Sequence, residues 1–175
     1  MADTVAVRLD SQPVLACLAQ IRQRIDDLSP AMRAIGEILT ESAKQRFSDS
    51  TAPDGTRWKP NAPATVLGML NQLSGAYGKK TGRLTKKGAT AVMGKKPLVA
   101  TGILQDTIGY NLINGGDGVE IGTNRFAGEW TGGAAVHQFG SRDGKIPARP
   151  FLGLSSDDET DVLAILANFG QQAIG

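Results

Sequence analysis

The stretch AVHQFGSRDGKIPARPFLG, residues 135–153, is the segment around which the other predicted elements are arranged. Two dense motifs, AVHQFG at 135–140 and IPARPFLG at 146–153, flank the polar turn SRDGK. Each proline fixes its own φ at about −65° and pushes the preceding residue out of the helical region, so Ile146 and Arg149 are predicted to be extended. The second motif is therefore predicted to form a stiff, non-helical rod with Ile146, Phe151 and Leu152 as apolar anchors.

Three amphipathic helices are predicted around this stretch. The first begins near Asp10, and the second begins at Ser29-Pro30, a capping residue followed by proline. The third is opened by Ser155 or Ser156 and ended by Gly170. Their apolar residues recur every three or four positions, at Leu15, Leu18, Ile21 and Ile25; at Met32, Ile35, Leu39, Ala43 and Phe47; and at Val162, Leu163, Ile165, Leu166 and Phe169. Arg46 is assigned to the polar face of the second helix.

Alternating apolar residues predict an antiparallel sheet. The clearest hairpin joins TIGYNLI at 107–113 to VEIGT at 119–123 through a glycine-rich link, and further strands are predicted at 4–9 and near 134–139. This order predicts a single α+β domain over residues 1–175, in which an antiparallel sheet of about four strands packs with two N-terminal helices and a C-terminal helix.

Regular structure is predicted to stop at SDSTAPDGTRWKPNAP, residues 48–63, because this segment contains three prolines and a PDG turn. The turn carries Trp58 on an otherwise polar loop. Two readings stay open: Trp58 folds back over the helices as a lid, which we favour, or it anchors a partner.

A basic segment follows, and the chain has no acidic residue between Asp54 and Asp106. Apart from a short helix at ATVLGMLNQL, residues at about 64–97 are predicted to be a flexible basic insertion, because their few apolar side chains cannot offset the entropy of ordering. The segment either remains a solvated loop or docks on nucleic-acid phosphates or a protein partner. The docking candidates are Lys79, Lys80, Arg83, Lys86, Lys87, Lys95 and Lys96.

Composition and charge exclude several kinds of site and segment. The chain has 175 residues and a net charge of +2, which says little about partners. One cysteine, Cys17, excludes an internal disulfide and a multi-cysteine metal site, and we expect it to be a small buried side chain. The N-terminus lacks the pattern of a signal peptide and no apolar run is long enough to span a membrane, so a cytoplasmic location is expected.

No motif for catalysis or for a cofactor stands out. The Gly78-Lys79-Lys80 and Gly94-Lys95-Lys96 stretches lack the glycine spacing and the hydroxyl residue of a phosphate-binding loop. His137 is the single histidine, and we interpret it as structural or interfacial rather than as a general base acting with Ser141 and Asp143. The acidic residues 157–161 are interpreted as compensating the helix dipole rather than as a divalent-ion site.

Four ordered motifs carry a resemblance to a known family. They are APDGTRWKP at 52–60, ATGILQDTI at 100–108, HQFG at 137–140 and IPARPFLG at 146–153. Together they resemble the Mu-like phage virion morphogenesis family, also called the tail completion family. The resemblance implies a non-enzymatic protein that finishes the tail and joins it to the head, present in the host cytoplasm during assembly and then in the virion. The basic stretch between TRWKP and TGIL is not aligned with the family, so no role is inherited there.

The favoured hypothesis is that the chain self-associates, with a hexameric ring as the candidate arrangement, and docks on phage tail-tube and head-neck proteins. Predicted interface residues are His137, Gln138, Phe139, Ile146, Arg149, Phe151 and Trp58. Arg149 is expected to pair either with a core carboxylate or with a neighbouring subunit. Two alternatives stay open: a DNA-binding accessory protein that makes non-specific contacts through residues 79–96, and a hydrolase centred on His137.

Overall fold

The computed structural model of the chain describes residue 23, residues 27–123 and residues 133–174. The predicted strand at 4–9, nearly all of the first predicted helix with Cys17, and residues 124–132 lie outside this part. The described elements are α1 (Ser29–Asp49), α2 (Pro63–Gln72), α3 (Lys86–Gly94), α4 (Ile103–Asp106), β1 (Ile108–Ile113), a 3-10 turn (Asn114–Gly116), β2 (Gly118–Thr123), α5 (Gly133–Phe139) and α6 (Ser156–Ile174).

Helix α1 lies at the centre of the described structure and packs on both strands of the hairpin and on α6. Its predicted start at Ser29-Pro30 is confirmed, but Leu28 rather than Ser29 is the N-cap residue and no side chain caps the helix. The helix ends where Ser50 takes a left-handed conformation, with φ of 56°. Ile35, Ala43 and Phe47 of the predicted stripe are buried. The assignment of Arg46 to the polar face is wrong, since this side chain is buried and has an ion-pair partner on α6.

The predicted hairpin is confirmed. β1 and β2 pair antiparallel with Tyr110 opposite Ile121 and Ile113 opposite Gly118. The sheet has only these two strands in the described part of the chain, so the prediction of about four is wrong there. Residues 134–139, predicted as a strand, belong to α5 instead. The two alanines that open this segment favour a helix, and the prolines that enforce extension begin only at Pro147.

The basic insertion contains more regular structure than the sequence suggested. The short helix predicted at ATVLGMLNQL is α2, and a further helix, α3, is capped by the Thr85 hydroxyl, which accepts a hydrogen bond from the Gly88 amide at 3.2 Å. A bridge between Tyr77 and Leu84 lies within the segment that connects the two helices, and the helices contact each other. The flexibility of this insertion in solution stays a prediction.

The core lies where α1, the 48–63 loop and the rod meet. Phe47 packs edge-on against Trp58 and at a tilt against Phe151, with ring centroids 5.4 Å apart in both pairs. Such edge and tilted arrangements are the favourable ones for aromatic rings. The buried members of this cluster are Ala43, Phe47, Ala52, Trp58, Ile108 and Phe151.

Helix α6 begins as predicted, with Ser155 before its first residue and acidic side chains in its first turn. It continues through Gly170 to Ile174, so the predicted termination at Gly170 is wrong; an internal glycine costs a helix only about 1 kcal/mol. Part of its predicted apolar stripe is also wrong within the described structure, because Leu163 and Leu166 are exposed there.

Candidate functional site

The two motifs that the sequence singled out lie side by side. Helix α5 ends at Phe139 and is followed by Gly140, whose φ of 84° suits glycine, and the turn after it reverses the chain. The Ser141 amide donates to the Ile146 carbonyl at 2.9 Å, and the Ser141 hydroxyl accepts from the Ile146 amide at 2.8 Å. The IPARPFLG rod therefore runs back along α5, and it is non-helical as predicted.

Gln138 joins α5 to the rod through both ends of its amide. Its Oε1 accepts from the backbone amides of Phe151 and Leu152, both at 3.0 Å, and its Nε2 donates to the Leu152 carbonyl at 2.8 Å. One side chain thus satisfies three backbone polar groups of a segment that has no strand partner in the described structure. Extended backbone can be buried only when such groups are hydrogen-bonded. The Arg149 amide adds a bond to the His137 carbonyl at 2.7 Å.

Arg149 and Trp58 connect the rod to the 48–63 loop. Arg149 donates from Nε to the Lys59 carbonyl and from a terminal nitrogen to the Pro60 carbonyl, both at 2.8 Å. Trp58 donates from its indole nitrogen to the Pro150 carbonyl at 2.8 Å. Arg149 is buried, and no described carboxylate lies within ion-pair distance of it. Burial lowers the pKa of its guanidinium, which nevertheless remains charged.

Among the predicted interface residues, burial separates two groups. Phe151 is fully buried and Trp58 is 6% exposed, so within a single subunit their rings belong to the core. Phe139 is 79% exposed in the described structure, and Ile146 is half-buried. Contact with another protein stays a prediction for the whole set, and Phe139 is the member whose ring is accessible without rearrangement.

His137 is half-buried, and its pKa is lowered by burial and then by the positive charge of Arg149. Ser141 and Asp143 bond to each other at 2.6 Å, in the role of turn formers that the sequence predicted. The buried Nδ1 of His137 has no hydrogen-bond partner within the described residues. The orienting bonds of a catalytic triad are therefore not formed here.

An ion pair that sequence reasoning missed links α1 to α6. Arg46 lies 2.5 Å from the Asp158 carboxylate, and the same guanidinium donates to the Phe151 and Gly153 carbonyls at 2.9 Å. Asp158 also accepts from the Ser155 amide at 2.8 Å, while the Ser155 hydroxyl accepts from the Asp158 amide at 3.1 Å. This reciprocal cap could have been found from the S-x-x-D spacing of residues 155–158.

The pKa of Asp158 reflects competing effects. Burial raises it, but hydrogen bonds from Ser42 and Ser155 and the attraction of Arg46 together outweigh burial, so the pKa lies below its ordinary value. The carboxylate is therefore ionised at neutral pH and complements the Arg46 charge. The rod is thus fixed at its C-terminal end by a charged pair, as it is fixed near its N-terminal end by Arg149.

The family model for the phage virion morphogenesis family matches residues 9–169. The chain belongs to this family. The match includes the 48–63 loop, the basic insertion and the AVHQFG and IPARPFLG motifs, so the family assignment rests on nearly the whole chain. No curated protein and no solved structure matches the chain.

The predicted docking cations of this family member do not converge on one place. Lys79, Lys80, Arg83 and Lys86 are exposed in and beside the turn between α2 and α3. Lys87 donates to the Ser74 carbonyl, Lys95 to the Val99 carbonyl and Lys96 to the Ser48 carbonyl. Lys95 and Lys96 also line a cavity of about 300 Å³ together with His137 and Arg149. Of the seven predicted docking cations, Lys95 and Lys96 are the two that line this cavity.

The described residues contain neither a metal-binding cluster nor a membrane-spanning helix. No three His, Cys, Asp or Glu side chains within this part of the chain lie close enough together to hold a metal ion. None of the helices described there has the length and apolar character needed to cross a membrane.

Proposed function

We propose that the chain is a non-enzymatic structural protein that completes the phage tail and takes part in joining it to the head, acting as a homo-oligomeric ring. Family membership supports a role in phage assembly. The finer proposal rests on the hydrogen bonds that the side chains of the motif residues make. Arg149, Gln138 and Trp58 all bond through their polar groups to the backbone of the rod or of the adjoining loop, so they hold the surface around them rigid rather than forming a reaction centre.

A rigid surface is what repeated docking between identical subunits requires. A preorganised interface loses little conformational entropy on association, so more of its contact energy appears as affinity. Phe139 projects from α5 beside the rod and is exposed, and aromatic residues of this kind are common anchors of interfaces. We place the contact with a neighbouring subunit, or with the tail-tube and head-neck proteins, on this side of the molecule.

A second candidate function follows from the exposed cations of the insertion. Lys79, Lys80, Arg83 and Lys86 have no ion-pair partner in the described structure. A patch of this kind binds nucleic-acid phosphates without sequence preference, and such binding falls steeply with salt. DNA binding by the purified chain that persists at physiological salt and is lost in a Lys79→Glu/Lys80→Glu variant would favour this accessory role.

The test of the favoured function is the phage that carries this chain with the corresponding gene removed. We expect DNA-filled heads and separate tails, seen by electron microscopy, because assembly stops at the step that this protein completes. Supplying the wild-type chain from a plasmid should restore joined, infectious particles. Joined particles in the absence of the gene would overturn the proposal, and empty heads would favour the DNA-binding alternative.

A further inference from the structure

Two non-helical segments run antiparallel across one side of the molecule, residues 51–62 and residues 146–155. Their contacts occur in opposite order along the chain. Arg149 bonds to the carbonyls of Lys59 and Pro60, Trp58 bonds to the carbonyl of Pro150, and Gly153 lies against Pro53, where an added Cβ would come within 2.8 Å of the ring. A cavity lies at each end of this pair of segments, and the two cavities share no lining residue.

The cavity at one end, which we call the basic end, is the one of about 300 Å³ beside Arg149. Its lining contains Lys95, Lys96, Lys145 and Arg149, and no aspartate or glutamate. Arg149 and Lys95 are satisfied by backbone carbonyls alone, and Lys145 pairs only with exposed Asp143, a contact that contributes little. Three of the four cations at this end, Lys95, Lys96 and Arg149, therefore have no ion-pair partner among the described residues.

The cavity at the other end, which we call the acidic end, has a volume of about 560 Å³. Its lining contains three exposed carboxylates, those of Asp49, Asp54 and Asp157. The one cation in this lining, Arg46, is already neutralised by its ion pair with Asp158. Negative charge therefore predominates at this end, and the described structure gives none of the three carboxylates an ion-pair partner.

From this arrangement we infer that copies of the chain associate head to tail, with the acidic end of one subunit docked on the basic end of the next. The occupant of the basic end is thus a carboxylate-bearing surface of a second copy. Opposite charges at the two ends of one axis attract only when different surfaces meet, because a contact between two basic ends or two acidic ends is repulsive.

When two copies associate through two different surfaces, the pair still has one free basic end and one free acidic end. Such heterologous contacts generate a closed ring when the rotation between subunits closes, and an open filament when it does not. The inference rests on the self-association in the proposed function and specifies its polarity. It also gives Arg149 a second role, since the residue that holds the rod to the 48–63 loop adds its charge to the docking surface.

The test uses two charge-reversed variants of the full chain and the absolute mass from light scattering. The basic-end variant is Lys95→Glu/Lys145→Glu, and the acidic-end variant is Asp49→Lys/Asp157→Lys. Each alone should raise the dissociation constant by about 30-fold or more, so that protomers replace the oligomer at the same concentration. A one-to-one mixture should assemble again, because the reversed basic end of one variant fits the reversed acidic end of the other.

Matched controls carry the same charge changes away from both cavities. Lys79→Glu/Lys80→Glu and Glu41→Lys/Glu159→Lys should leave the mass unchanged, and circular dichroism should show that all variants are folded. A wild-type oligomer that persists in both end variants would overturn the head-to-tail contact while leaving the ring in place. The contact would also be overturned by a one-to-one mixture that stays as protomers, or by a wild-type chain that is a protomer at every concentration. The phage with the gene removed tests the assembly role separately.

Discussion

Replacing Asp158 by asparagine removes the charge that faces Arg46 and leaves a similar shape. Both side chains are buried, with relative exposures of 6% for Arg46 and 5% for Asp158. Removing one partner of a buried ion pair costs about 3–5 kcal/mol, because the remaining charge stays buried without its partner. Arg46 keeps its bonds to the Phe151 and Gly153 carbonyls, so we expect the lower end of this range, about 3 kcal/mol.

A loss of about 3 kcal/mol shifts the unfolding equilibrium by roughly two orders of magnitude. Urea unfolding followed by far-ultraviolet circular dichroism measures it as a lower midpoint at an unchanged slope. Glu159→Gln is the matched control, since it removes the same charge one residue later from an exposed position that lines neither cavity. This control should stay within about 0.5 kcal/mol of the wild type. An equally small effect of Asp158→Asn would refute the view that the pair ties α1 to the end of the rod.

Three further predictions concern other contacts within the fold. The pKa of Asp158 lies below its ordinary value of 3.8, so the ionised carboxylate stabilises the fold above that pH, and this stabilisation is lost as pH falls through the lowered folded-state pKa. The acid limb of a curve of unfolding free energy against pH should therefore be shallower in Asp158→Asn than in the wild type. Parallel acid limbs would contradict this. Gly36→Ala should destabilise the chain by about 1–3 kcal/mol in urea unfolding, despite alanine's higher helix propensity, because the new Cβ overlaps the Tyr110 ring. Gly170→Ala is its control: no described atom lies within 4 Å of the added Cβ, and it should stabilise α6 by about 0.5–1 kcal/mol. Trp58→Phe should lower the free energy of unfolding by about 1–3 kcal/mol, because the Pro150 carbonyl loses its donor, and a neutral result would argue against that bond.

Local features of the fold were readable from the sequence because they depend on nearby residues. Proline after Ser29 marked the start of α1, the alternation in TIGYNLI and VEIGT marked the hairpin, and the prolines of IPARPFLG marked the non-helical rod. The same local signals failed where two patterns competed. AAVHQF alternates weakly and also suits a helix, and only the packed chain decides for α5.

Features that depend on distant residues were not readable. Arg46 and Asp158 are more than a hundred positions apart, and each has a local explanation, one as a polar-face cation and the other as a helix-dipole anion. The prediction of a core carboxylate for Arg149 is wrong within the described structure, which gives it the carbonyls of Lys59 and Pro60 instead, and its contact with a neighbouring subunit stays a prediction. An arginine held between prolines indicates a fixed donor, but the sequence does not say which acceptor the fold will supply.

The most direct test of the assembly role is to add the purified chain to an extract of cells infected by the phage that lacks its gene. Heads and tails accumulate separately in such an extract if this protein acts at the final joining step. The account predicts that the wild-type chain restores joined particles and infectious titre, and that the folded basic-end and acidic-end variants restore far less when added singly. Full titre before any protein is added, or no recovery with the folded wild-type chain, would contradict the account.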